Sequence, residues 1–141
     1  MAERWSLAGL LRLRQIAQDR AEADLADANW RHRNAERAHE RTRSAMSAYG
    51  DPALTVEQLR AIAAARTAGA SMIQELHTVA KLAEADARDA QFAAQEARQA
   101  AKGLKKLEAR HLEQQAAEEL RVEQSAIDEL ATNAAIRKEH R

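Results

Sequence analysis

Residues 49–58 read Tyr49-Gly50-Asp51-Pro52-Ala53-Leu54-Thr55-Val56-Glu57-Gln58, the one place in this 141-residue chain where a helix must stop and another can start. Glycine suits a helix C-terminus and proline cannot continue a helix. Thr55 and Gln58, three residues apart, form a capping box in which each side chain satisfies a backbone amide that the helix leaves unpaired. Leu54 before the cap and Leu59 after it fit a hydrophobic staple. The stretch predicts a first helix over 5–49, a turn over 50–54 and a second helix over 56–137. A connection this short makes the helices antiparallel neighbours. The expected fold is all-α: a two-helix antiparallel coiled-coil hairpin over 1–141, forming one domain, with the second helix longer than the first.

Outward from the turn, the second helix carries a 3.5-residue repeat: Leu59, Ile62, Arg66, Gly69, Ile73, Leu76, Ala80, Ala83, Ala87, Ala90, Ala94, Ala97, Ala101 and Leu104. That period keeps one seam facing a partner. Its seven consecutive alanines let two backbones approach closely, yet each buries little area, so at about 0.8 kcal/mol per buried CH₂ the middle of the seam is weakly held. Past Leu104 the phase slips, and an apolar stripe resumes at Leu112, Ala116, Leu120, Glu123, Ile127, Leu130 and Ala134. The first helix answers with Leu7, Leu11, Arg14, Gln18, Ala21, Leu25, Ala28, His32, Ala35, His39, Thr42, Met46 and Tyr49. Folded back, it reaches the second helix to about residue 100. Residues 101–137 are then left as one unpaired amphipathic helix, which has little reason to be stable without a partner.

Composition agrees with long helices. Alanine supplies 35 residues, and Leu, Ile, Val, Met, Phe, Tyr and Trp together only 29, too little bulk for an ordinary globular core. Ala, Glu, Lys, Leu and Arg total 86 of 141, the signature of coiled coils. The formal charge is zero, which removes the usual warrant for nucleic-acid binding. With no cysteine there is no disulfide framework or thiolate chemistry. No apolar run approaches the ~18 residues of a membrane span. The four glycines are scattered, so neither common phosphate-cradling loop can be built.

The remaining candidates have ordinary explanations. His32, Glu36 and His39 share one helical face, but a zinc site normally needs three or four converging ligands, so no metal is expected. Arg31, Arg33, Arg37, Arg41 and Arg43 outnumber Glu36 and Glu40, yet no aromatic interleaves to stack on bases, and a solvated face is favoured over nucleic acid. Lys102, Lys105, Lys106 and Arg110 form a second basic cluster where the heptad slips. Glu113, Glu118, Glu119, Glu123, Asp128 and Glu129 make the next stretch acidic. Two helices without a cavity offer no pocket for paired carboxylates or a Ser–His–Asp arrangement, so no enzyme activity and no cofactor are expected.

The start, Trp5-Ser6-Leu7-Ala8-Gly9-Leu10-Leu11-Arg12-Leu13-Arg14, resembles the opening of the flagellar FliJ family, an aromatic and Leu followed by a Leu-Leu-x-Leu-Arg run. The segment Ile127-Asp128-Glu129-Leu130-Ala131, with Arg137 beyond, is similar to that family's closing aliphatic-Asp-Glu-Leu-Ala run. Length, two-helix layout and turn position agree over essentially the whole chain. The resemblance implies a central stalk of the type III export apparatus, like the γ subunit of rotary ATPases. Such a stalk docks into the export ATPase hexamer, promotes ring assembly, links the ring to the membrane export gate and escorts export chaperones. By that likeness Leu7, Leu11, Arg14, Ile127, Asp128, Glu129, Leu130 and Arg137 would meet the ATPase ring. Thr42, Met46, Tyr49 and Ile62 would face the gate protein. The protein would be cytoplasmic, held peripherally at the inner-membrane apparatus without inserting into the bilayer. The chain departs from the family in having Ile62, Ala65 and Arg66 where aromatics are often found. The physical reading alone also admits a homo-oligomeric coiled-coil scaffold or adaptor, motivated by the clean heptad from Leu59 to Leu104.

Overall fold

A computed structural model of the chain describes residues 4–48 and 55–140. Two helices make it up, α1 (Ala8–Ser47) and α2 (Val56–Glu139), with no strand among the described residues. They form the antiparallel hairpin expected, the second helix of 84 residues against 40 in the first. The turn at 50–54, the Leu54 half of the staple and Tyr49 lie outside the described residues.

The start of α2 is the best-specified point. The Gln58 amide donates to Thr55 Oγ1 and the Thr55 amide to Gln58 Oε1, both at 3.1 Å, so the capping box closes reciprocally. Glu57 in the first turn and Arg137 and Lys138 in the last oppose the helix dipole at each end. Helix α1 has neither an acidic first turn nor a basic last one. It begins at Ala8, not residue 5. The Ala8 amide donates to the Trp5 carbonyl at 3.1 Å in a tight turn, and the first α-type bond runs from Leu11 to Leu7 at 2.9 Å. The turn at residues 5–8 is closed by this backbone bond and precedes the first α-helical turn.

The chain divides into two compact units: Met1–Ile16 with Arg98–Arg141, and Ala17–Ala97. In the second unit the burial follows the heptad: Ala28 and Ala87 are buried, Ala94 is fully so, and Leu25, Ala35, His39, Ile73, Leu76, Ala80, Ala83 and Ala90 are half-buried. Arg66 is exposed and Ala65 takes its place in the seam. Gly69 is buried against Met46, and a Cβ built on it would overlap the Met46 Sδ and Cε. The missing side chain is what admits the methionine.

In the first unit Leu11 and Ala101 are buried, with Leu7 and Leu104 half-buried. Arg14, at a seam position by spacing, is exposed. Half-burial does not end near residue 100 as expected but continues at Glu108, His111 and Gln115. The reason lies in register. Thr55 to Ala61 are exposed and pairing begins at Ile62, so α1 meets α2 further along than reflection about the turn gives. The seam thus holds its old phase into polar residues, while the apolar stripe, displaced by a helix turning about 100° per residue, rotates off it. From Ala116 to His140 every residue is exposed.

Candidate partner-binding surfaces

The bare stretch of α2 is the first surface. Leu120, Ile127 and Leu130 are 65%, 64% and 71% exposed and lie along one helix with no half-buried residue between them, an apolar stripe of the kind that marks an interaction surface. No Gly or Pro interrupts the helix beyond Leu104, and the Ala, Glu, Gln, Leu and Arg that fill it are strong helix formers. Arg121 clasps Glu118 through Nε at 3.1 Å and a terminal nitrogen at 2.8 Å. That bond, then the guanidinium charge, lowers the Glu118 carboxyl below its ordinary value and raises Arg121 correspondingly. Asp128 uses its backbone carbonyl to accept the Thr132 hydroxyl at 2.8 Å, and its carboxylate faces outward with that of Glu129 on exposed helix. Arg137 sits in the last turn.

The residues expected at the ATPase all belong to the first unit, but not to one patch. Ile127 is twelve residues past Gln115, the last half-buried position, or roughly 18 Å along the helix. Leu11 is buried, Leu7 half-buried and Arg14 exposed within the paired part. Leu11 therefore fastens α1 to α2, and the exposed side chains that a partner can reach are Arg14, Ile127, Asp128, Glu129, Leu130 and Arg137. Of the residues expected at the gate, Thr42 donates its hydroxyl to the Ala38 carbonyl at 3.0 Å and Met46 is engaged on Gly69. Ile62 is half-buried at the first seam position of α2, and Tyr49 is outside the described residues.

A second surface, in the second unit, was not legible as a site. Trp30, Arg31, Asn34 and Ala38 of α1 and Leu76, Val79, Leu82 and Asp86 of α2 line an open apolar groove of about 480 Å³. Trp30 and Leu82 are 58% and 63% exposed. Their sequence signal was present: large apolar residues one or two places off an alanine seam, where a heptad assigns polar ones. The arginines from Arg31 to Arg43 are all exposed, and Arg31 reaches the groove.

The histidines sit where the seam needs filling. His32 Nε2 lies 3.1 Å from Glu36 Oε1, within ion-pair reach when the ring is protonated, though off the line of a hydrogen bond. His39 meets His77 across the helices, ring centroids 5.6 Å apart and tilted by 54°. Among the described residues no three His, Asp or Glu side chains converge to hold a metal ion, and no helix is long and apolar enough to cross a membrane.

Residues 3–140 match the family model described as Flagellar FliJ protein. No curated protein and no solved structure matches the chain.

Proposed function

We propose, for a chain that belongs to the flagellar FliJ family and is thereby a component of the flagellar type III export apparatus, that it acts as the central stalk of that apparatus. The carrying observation is the pairing of that membership with the exposed helix from Ala116 to Glu139 and its apolar stripe. A helix with one apolar face and no internal partner is a ready-made insert for a sleeve in another protein. The export ATPase hexamer is that sleeve in this reading, with Ile127, Asp128, Glu129, Leu130 and Arg137 as the contacts. Leu7 and Leu11 keep α1 clamped behind them, and Arg14 is available at the rim. The second unit carries the contacts to the export gate, through Thr42, Met46, Tyr49 and Ile62, and to export chaperones. The protein works in the cytoplasm, peripherally at the inner membrane. Its action is geometric: it makes no bond and holds no cofactor, and it stimulates the ATPase by stabilising the assembled ring.

A homo-oligomeric scaffold is the competing reading. It requires the exposed stripes to pair with each other over their length, which brings Glu118, Glu119 and Glu123 against their own copies when parallel, and Glu118 against Asp128 and Glu123 against its own copy when antiparallel. Like charges so placed are destabilising.

Titration of the protein into the export ATPase, followed by phosphate release, tests the stalk. The expected result is a saturable rise near one chain per ring. An ATPase unaffected at any ratio overturns it.

A further inference from the structure

The fold adds two arginines of α1 to a charge contrast already laid out along α2. Within the first unit, residues 8–16 of α1 and 102–112 of α2 bring Arg12, Arg14, Lys102, Lys105, Lys106 and Arg110 together, all exposed, with Glu108 the lone carboxylate: six cations against one anion. Aliphatic side chains stand bare among them, Leu13 at 64% exposure and Leu10 and Leu107 also open. Residues 113–129 of the same unit hold six carboxylates against Arg121 alone. The collar carries a formal +5 and the segment beyond it −5.

We infer that this collar docks the acidic exposed helix of a second copy of the chain. A partner for the collar must present acidic groups flanking an apolar stripe. The segment holding Leu120, Ile127 and Leu130 between Glu118, Glu119, Glu123, Asp128 and Glu129 is such a partner, and it is as exposed as the collar. Stripe-on-stripe pairing sets acid against acid. Sliding the second copy so that its helix lies antiparallel on the collar sets acid against base and aliphatic against aliphatic in one move. The arrangement is isologous, since each copy offers both a collar and a helix, and it closes at two chains. Because the attraction comes from exposed charges, the dimer is salt-sensitive. Its regulatory meaning rests on the stalk reading: a docked helix is withheld from the ATPase ring, so self-association stores the chain until a ring competes for it. The self-association itself stands without that reading.

The test is sedimentation velocity on the full chain at about 0.1 M and about 1 M salt, between which the Debye length shrinks from ~10 to ~3 Å. Two variants accompany it, the collar-reversed K105E/K106E and the helix-reversed E123K/D128K, each checked for unchanged helicity by circular dichroism. The wild type is expected to dimerise at low salt and dissociate at high salt, and each variant alone to weaken dimerisation at least about tenfold, roughly 1.4 kcal/mol. An equimolar mixture of the two variants restores a dimer, since each reversed surface then meets its opposite. A wild type that stays monomeric at low salt overturns the proposal. So does a dimer that neither variant weakens, or a mixture that fails to reassociate. None of these outcomes depends on the export ATPase, so failure here and failure of the stalk reading are distinguishable.

Discussion

Two stretches of the same helix, residues 62–115 and 116–139 of α2, are built from similar amino acids and put to opposite uses. In the first, the most deeply buried positions are alanines facing α1, so that Ala94 and Ala101 vanish from solvent while contributing only methyl groups, and Ile62, Ile73, Leu76 and Leu104 are half-covered beside them. In the second, Leu120, Ile127 and Leu130 are the larger residues and nothing covers them. Leucine and isoleucine thus stand bare on a stretch with no internal partner, while the most deeply buried positions of α2 are filled by methyls. A chain optimising its own stability would do the reverse, because each exposed leucine forgoes about 1.5–3 kcal/mol that burial provides. In the stalk reading proposed above, the paired stretch is the brace and the bare stretch is the part offered to another molecule.

The largest expected effect belongs to Leu11, the one large aliphatic buried among the described residues. Leu11→Ala is expected to destabilise the hairpin by about 2–4 kcal/mol, read as a shift in the urea midpoint. Leu130→Ala, on the bare stretch, is expected to leave that midpoint within about 0.5 kcal/mol. Equal losses at both positions would break the distinction. Next comes Ala94→Leu, which forces bulk into a seam with no room and costs about 1–3 kcal/mol. The same change at Ala116, where the residue is exposed, is close to neutral. Thr55→Ala removes one half of the capping box and costs about 1 kcal/mol, with fraying confined to the first turns of α2 by amide exchange.

How much of this could be read in the sequence follows from what fixes each feature. The cap at Thr55 and Gln58 is local chemistry, and both hydrogen bonds form as the spacing implies. The seam from Ile73 to Leu104 is a period, and periods survive into structure. Register is neither. The expectation that α1 reaches only to about residue 100 assumed pairing directly from the cap, whereas Ile62 is the first half-buried residue of α2 and the half-buried line extends to Gln115. Packing of Met46 into the notch at Gly69 is one contact that sets this offset, and it depends on a missing side chain that no periodicity weighs. The groove beside Trp30 and Leu82 escaped for the same reason, and of the collar only the α2 cluster around Lys105 was legible: each needs residues from both helices, and which ones meet is decided by register.

The smallest effect lies within the bare stretch. Glu118 is held below its ordinary carboxyl value by the hydrogen bond and charge of Arg121. A carboxyl whose folded value is depressed supports the folded form above the unfolded value near pH 4.3, and that support is lost as pH falls through the lowered value. By side-chain NMR Glu118 should titrate below the ordinary glutamate value, and Arg121→Gln or high salt should return it toward that value. Because the pair is fully exposed, the change in overall stability is expected to be slight. A large acid-induced loss traced to this pair would mean that the stretch is supported internally after all.

Hydrogen exchange on the dilute full chain, alone and with the export ATPase hexamer, shows whether the bare end of α2 is the part that the ring covers. Fast amide exchange is expected across residues 116–139 in the isolated protein and slow exchange there once the ring is added, with residues 73–97 protected in both. Exchange across 116–139 that stays fast while the ATPase is demonstrably bound would contradict this expectation.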